Sequence, residues 1–280
     1  DVFFESCQTH YGTNWMGDMR TDTGKIIRLE DYKQTDYSIG TVHLAFKLDT
    51  ENTVVTAMST FHRREDTPAG SPLALDGDGL VFKSLKIDGK IVAADTFHVG
   101  ADQLTILKPP ASPTFTVEIV TTTNPAANRA LMGLYRSGDV YCTQCEAEGF
   151  RRITYFLDRP DILAVYTVRI EASKSDAPLL LANGNPVKSG DLPDGRHFAE
   201  WHDPFPKPSY LFALVAGDLG CIEDKFETMS GREVTLRIYV EHGKESRATY
   251  AMDALKRSMK WVEQVFDREY DLGLFMIVAV

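Results

Sequence analysis

Between Tyr37 and Leu48 the residues YSIGTVHLAFKL change character at every second position. Gly40, Val42, Leu44, Phe46 and Leu48 fall on one side, and Ile39, Thr41, His43, Ala45 and Lys47 on the other, the pattern of a strand with one apolar face. Thr53–Arg63, Leu80–Ile87, Gln103–Leu107, Phe115–Thr122 and Val165–Ala172 read as further strands, separated by turn-rich pieces such as Asp76-Gly77-Asp78-Gly79. The spacing predicts antiparallel sheets. Asp88-Gly89, between KSLKI and KIVAA, predicts a two-residue hairpin, because glycine accepts the positive φ that such a turn demands.

The aspartates of LDGDGL lack the spacing and the closing Glu of an EF-hand and read as a turn. Pro109, Pro110 and Pro113 read as a bend between strands. Further on, Asn183-Gly184-Asn185-Pro186 reads as a turn, and Asp203–Pro208, with three prolines, as a rigid link rather than a helix interior or central strand. Tyr210–Ala216 is an apolar run of strand length. Composition shifts after Asp218: Val234–Val240 has strand character, and Ser246–Phe266 has helical spacing, with Tyr250, Ala254, Met259, Val262 and Phe266 as its apolar stripe. Leu272–Val280 reads as a last apolar strand.

The 280 residues suffice for one large or two ordinary domains, and 43% hydrophobic with 25% charged residues is ordinary for a globular protein. A formal net charge of -10, with no long basic run, argues against nucleic-acid or anionic-membrane partners. No apolar run reaches the ~18 to 20 residues of a membrane span. Cys7, Cys142, Cys145 and Cys221 make one close pair and two singles rather than a disulfide framework, which points to the cytoplasm. Residues 1–18 lack the basic start, apolar middle and cleavage site of a secretory signal. Met19 reads as the natural start, leaving 1–18 as an extension of uncertain origin.

Chemistry-bearing residues concentrate between Leu134 and Asp161, LYRSGDVYCTQCEAEGFRRITYFLDRPD. Gln144 and Glu146 are two apart, so in an extended backbone both leave one face, where an amide oxygen and a carboxylate suit a primary ammonium. Such a charge pair at ~4 Å is worth about 4 kcal/mol at an effective dielectric near 20, before desolvation. The other reading is a solvated acidic turn, since Glu146 and Glu148 flank Ala147 ahead of Gly149. Cys142-x-x-Cys145 lacks both a second pair at zinc spacing and a thioredoxin-like context, so buried, reduced thiols are expected. Arg151, Arg152 and Arg159 could bind an anion or pair with acids such as Asp158 and Asp161. His197 and His202, with Glu200 between them, are five apart and point to opposite faces of a strand, so no metal site is expected there. No nucleophile motif of a serine or cysteine hydrolase is present.

YCTQCEAEGFRRITYFLDRPD, together with WHDPFPKPSYLFALVAGDLG (Trp201–Gly220) and SMKWVEQVFDREYDLGLFMIVAV (Ser258–Val280), resembles the bacterial-type aminopeptidase N branch of the gluzincin zinc aminopeptidases, from about Lys25 onward. The resemblance implies an antiparallel, sandwich- or saddle-like β domain from residue 19 to 218. Residues 219–280 would then be the incomplete α+β start of a thermolysin-like catalytic domain. It implies that Glu146 binds the substrate's free α-amino group and that Gln144 lies beside it in the first specificity pocket. It further implies zinc, peptide substrates with a free N-terminus, and partners in the remaining catalytic and C-terminal domains of the same parent chain. The G-x-M-E-N and H-E-x-x-H segments of that family are absent from these residues, so no catalytic or metal-ligating residue is expected in this chain, and by itself it should be inactive. A reading from another class is a free-standing β-sandwich binding module, and a weaker third is a redox or metal-binding protein built on Cys142 and Cys145.

Overall fold

The computed structural model describes residues 28–279; the expected extension 1–18, the start at Met19, Cys7 and the final Val280 lie outside the described residues. Arg28–Gln34 holds a short 3-10 turn, Leu29–Asp31. Residues from Thr35 onward form one compact unit. Its strands in chain order are β1 (Tyr37–Lys47), β2 (Thr53–Arg63), β3 (Leu73–Asp76), β4 (Val81–Ile87), β5 (Lys90–Ile91), β6 (Phe97–Val99), β7 (Gln103–Ile106), β8 (Thr114–Thr123), β9 (Gly133–Ser137) and β10 (Val140–Gln144). After a connecting loop come β11 (Leu163–Ser173), β12 (Leu179–Ala182), β13 (Asn185–Asp191), β14 (Arg196–Pro208), β15 (Leu214–Gly217), β16 (Gly220–Glu227), β17 (Glu233–Val240), helix α1 (Thr249–Phe266) and β18 (Leu274–Val278).

Eight strands make the main sheet, in the order β13-β14-β11-β1-β2-β8-β4-β5. A four-stranded sheet, β12-β15-β10-β9, and a three-stranded one, β3-β7-β6, share its core. A further three-stranded sheet, β16-β17-β18, carries α1. The mainly β architecture agrees with the sequence pattern, and so does the hairpin at Asp88-Gly89, where Ile87 pairs with Lys90 and both turn residues have positive φ. Two pairings depart from the antiparallel expectation: β1 lies parallel to β11, and β17 parallel to β18. Parallel neighbours need a long crossover. For β17 and β18 that crossover is α1; for β1 and β11 it is everything between them.

Val42, Leu44 and Phe46 are buried as the alternation predicts, but Tyr37 and Ile39 are buried as well. The register of β1 against β2 shifts between Ile39 and Thr41, so a bulge at Gly40 moves the earlier odd-numbered side chains onto the core face. The stretch Asp203–Pro208 is not a link but the end of β14, paired with β11. Its prolines are tolerated for two reasons. β13 pairs with β14 only as far as His202, leaving one side of the later residues open, and the β11 register slips between Ala164 and Tyr166, opposite Pro204 and Pro206. Tyr210–Ala216 divides into a 3-10 turn, Ser209–Leu211, and the short strand β15, because the Phe212 N–H donates back to the Ser209 carbonyl.

The helix forms where expected, but of the expected stripe only Met259 is buried, and the inward face is rotated towards Met252 and Leu255. Met252, Leu255 and Met259 pack on Val234, Leu236 and Ile238 of β17, whereas Tyr250 and Phe266 of the expected stripe are 75% and 58% exposed. Apolar residues lie on two sides of this helix, and the sheet beneath selects one of them. Lys207 and Asp203 form a largely buried ion pair of 2.8 Å at the bulge of β14, with the Lys207 ammonium also 4.4 Å from the Tyr166 ring centre. Burial pulls the Lys207 pKa down while Asp203 works against that. Asp203→Ala is therefore expected to destabilise the chain by about 3–5 kcal/mol, since it strands a buried ammonium. The urea denaturation midpoint checks this, and a change of a few tenths would show that the pair is dispensable.

Candidate functional site

Strands β9 and β10 form a hairpin closed at Gly138-Asp139, with Ser137 facing Val140 and Gly133 facing Gln144. β10 is also hydrogen-bonded to β15 through Tyr141 and Cys142. The strand ends at Gln144, and Cys145 to Gly149 turn sharply, the Gly149 N–H donating to the Cys145 carbonyl at 2.8 Å. The extended backbone expected across Gln144 and Glu146 is thus interrupted: Glu146 sits in the turn, and the Glu146–Ala147 peptide is cis. The two residues are joined differently, by the Gln144 side-chain amide donating to the Glu146 carbonyl at 3.1 Å. Both are exposed.

Two glycines make this crowding possible. A Cβ on Gly149 would lie 2.2 Å from the Gln144 carbonyl oxygen, and one on Gly133, where φ is +71°, would lie 2.6 Å from the Arg152 Cβ. Phe150 then anchors the turn. It is fully buried, with ring centres of Phe156, Phe212 and Tyr166 at 4.7, 5.4 and 6.2 Å.

Arg151 and Arg152 follow, and both are committed to acids. The Asp158 side chain, 1% exposed, accepts from the Arg151 backbone N–H and Nε, each at 3.1 Å, while Arg151 Nη2 donates to the Asp158 carbonyl at 3.0 Å. The other Asp158 oxygen accepts from the Ser209 hydroxyl. Arg151 also lies 3.4 Å from Glu148 and 3.8 Å from Asp76, and Arg152 is 2.8 Å from Asp78. Burial works against the Arg151 charge, but Asp76, Asp158 and Glu148 outweigh it and hold its pKa above the ordinary value. Burial in turn pushes the Asp76 carboxyl up, opposed by Arg151. Arg159 pairs with Asp161 at 2.8 Å. The arginines are thus structural. The sequence suggested Asp158 and Asp161 as partners but missed Asp76 and Asp78, whose loop read only as a turn, and Ser209.

Among the described residues Glu146 has no ion pair, although Glu148, two positions on, has one. No group of three His, Cys, Asp or Glu side chains among the described residues could hold a metal ion. His197 Nε2 lies 2.7 Å from the Ala177 carbonyl and His202 Nδ1 lies 3.0 Å from the Thr167 hydroxyl, so each is occupied separately. The donor set of a zinc centre is therefore not assembled from these residues. Cys142 and Cys145 are both free and buried. A groove of about 300 Å3 between β12, β15 and β18, lined by Asn183, Asp203, Tyr270 and Leu274 among others, does not include Gln144 or Glu146. No described helix is long and apolar enough to cross a membrane.

Comparison with known proteins bears on the whole stretch. Residues 31–211 match the family described as the peptidase M1 N-terminal domain. Aminopeptidase N of Caulobacter vibrioides is 56% identical over 262 residues, which is 94% of this chain and 30% of that protein. Aminopeptidase N of Haemophilus influenzae is 52% identical over 252 residues, 90% of this chain and 28% of that protein. The crystal structure of Legionella pneumophila aminopeptidase A in complex with aspartic acid superposes with a TM-score of 0.86 at 35% identity, over 91% of this chain and 30% of that one. The chain thus spans about a third of the length of the relatives it matches.

Two outcomes follow for the site. Gly149→Ala is expected to lower stability by about 1–3 kcal/mol, because the obstructing atom is backbone and cannot step aside; an unchanged denaturation midpoint would show that the turn relaxes freely. Burial raises the Cys142 thiol to about 11 and raises Cys145 as well, with the Asp158 charge adding to the latter, whereas Cys221 is exposed. Near neutral pH a thiol reagent read out by peptide mass spectrometry should label Cys221 in the native chain and reach Cys142 and Cys145 only after unfolding.

Proposed function

The chain belongs to the peptidase M1 family through its N-terminal domain, and from that premise we propose that it is the N-terminal part of a zinc-dependent aminopeptidase, to which it contributes the anchor for the substrate's leading ammonium. In this reading Glu146 takes the ammonium and Gln144 lines the pocket for the first side chain. Residues 19–218 are the β domain, and 219–280 are the start of a thermolysin-like catalytic domain. Peptides with a free N-terminus are the substrates, and the rest of the parent chain is the partner. The free buried thiols Cys142 and Cys145 support a cytoplasmic home. Relatives about three times as long as the matched stretch weigh against a free-standing binding module.

One observation carries the assignment. In a loop where Arg151 serves Asp76, Glu148 and Asp158 and Arg152 serves Asp78, the carboxylate of Glu146 has no cation of its own among the described residues. A cation supplied by the substrate completes the balance with a charge-assisted hydrogen bond. The position of that bond limits cleavage to one residue, because a seated ammonium sets how far the first peptide bond reaches towards the hydrolytic centre. Zinc belongs to the parent and would be held by residues outside this chain; these residues do not fit it and bear on it only through where they hold the amine.

In the full-length enzyme, Glu146→Ala is expected to lower kcat/KM on an aminoacyl substrate by a factor equivalent to about 3–5 kcal/mol, with zinc content unchanged by metal analysis. Near-normal kcat/KM refutes the role of Glu146.

A further inference from the structure

We propose that Asp158, acting through Arg151, is the positioning residue of the Glu146 loop: a buried carboxylate that fixes the base of the loop and holds the guanidinium closest to Glu146 in sequence on its own side chain and carbonyl. The inference rests on the amine-anchor reading above and adds to it the group that keeps the anchor available.

The Asp158 side chain touches two separate parts of the chain. One oxygen accepts from the Arg151 backbone N–H and Nε, two residues beyond Gly149, where the turn carrying Glu146 closes. The other accepts from Ser209, at the turn between β14 and β15. β15 in turn pairs with β10, which leads into Gln144 and Glu146. The carboxylate is thus bonded directly to the Arg151 end of the loop and linked to the Gln144 end through Ser209, β15 and β10. Asp158 has a backbone role too, its carbonyl accepting from Arg151 Nη2, so the guanidinium is held by both the charge and the peptide of one residue. At 1% side-chain exposure this arrangement is shielded from solvent competition, while the remaining Arg151 partners, Asp76 and Glu148, are 32% and 53% exposed and lie at 3.8 and 3.4 Å.

The charge matters as much as the geometry. Arg151 is five residues from Glu146, and Glu148 in the same turn already reaches it. If Asp158 lost its charge, the guanidinium would keep the Asp158 backbone carbonyl but only the two more exposed acids as charged partners, and the unpaired carboxylate of Glu146 would compete for it. An Arg151–Glu146 pair would occupy the place reserved for the ammonium. Asp158 therefore acts on amine recognition through another residue and touches no substrate itself.

The test compares L-leucine with 4-methylpentanoate, which differ only in the α-amino group, binding to the full-length enzyme by calorimetry and as competitive inhibitors. Asp158→Asn is expected to weaken leucine about 10- to 100-fold while moving 4-methylpentanoate less than about threefold, so that the preference for the amine collapses. In a Glu146→Gln background the same substitution should leave the remaining preference unchanged. Equal weakening of both compounds, or an undiminished preference for leucine, overturns the positioning role. Should the Asn variant fail to fold, Ser209→Ala keeps the Asp158 charge and removes one of its donors. It is expected to reduce the preference in the same direction, and no change there overturns the proposal as well. If Glu146→Gln alone leaves the preference for leucine intact, the anchor assignment itself falls, a result distinct from a silent Asp158 with a responsive Glu146.

Discussion

The structure around the loop depends on one buried ring being followed by a half-buried charge that a buried carboxylate holds. Phe150 enters an aromatic cluster with Phe156, Phe212 and Tyr166, and Phe212 also stacks on Phe46 of β1 with ring centres 6.0 Å apart. A fully buried phenylalanine is worth about 1.5–3 kcal/mol in transferred surface, and edge-to-face neighbours add to that. The next residue cannot follow it into the hydrocarbon. Arg151 has to be neutralised where the backbone leaves it, and Asp158 does so from within the same short segment. Apolar seat and ion pair thus fix adjacent residues, and the turn from Cys145 to Gly149 has little freedom left.

That fixation explains an apparent waste. Residues 145–161 hold four acids, Glu146, Glu148, Asp158 and Asp161, and the end of β3 with the turn after it adds Asp76 and Asp78, six in all against Arg151, Arg152 and Arg159. If charge pairing served stability alone, the surplus would be a liability, because like charges in a partly desolvated turn repel. The surplus falls mainly on the exposed turn, where Glu148 retains a partner and Glu146 has none among the described residues. An excess of negative charge held on a rigid turn favours a cation arriving from solution over one supplied by the protein. Exposed side chains that are free to move could neutralise each other; here the Arg151 guanidinium is already held by the Asp158 side chain and carbonyl.

How much of this could be read in advance varies with the kind of constraint. The β1 alternation and the Asp88-Gly89 turn are local, and local rules found both. The bulge at Gly40 was invisible, because whether one residue in a strand is skipped depends on the β2 partner. The prolines of Asp203–Pro208 misled for a related reason: proline excludes a central strand only where both sides must be paired, and the sequence does not say where β13 stops. In α1 the apolar residues supply two candidate faces that share Met259, and only the β17 surface chooses Met252 and Leu255 over Tyr250 and Phe266. At the site, composition drew the eye to Gln144 and Glu146, and the resemblance gave them roles. Their supposed shared strand face was wrong, because Gly149 folds the chain back one residue after β10 ends. Asp78 and Ser209 lie far from the loop in sequence, so nothing local could connect them with it.

If the Glu146 loop sets a distance as proposed, the other end of the measure has to be fixed as well. Tyr239 of β17 and Leu274 of β18 belong to the main core rather than to the smaller one beneath α1, and the Gly273 N–H donates to the Asn185 side chain at 3.1 Å, next to β18. The sheet β16-β17-β18 is therefore packed against the core of the main sheet within the same compact unit. Under the proposed function, whatever continues from β18 inherits a position set by the same core that seats Phe150. A hinge between them would let the first peptide bond sample several depths and would blur removal of a single residue. Phe150 and Leu274 share one hydrophobic core, so under the proposed function the separation would be a property of the fold, and specificity for the leading residue would need no moving part in this portion of the protein.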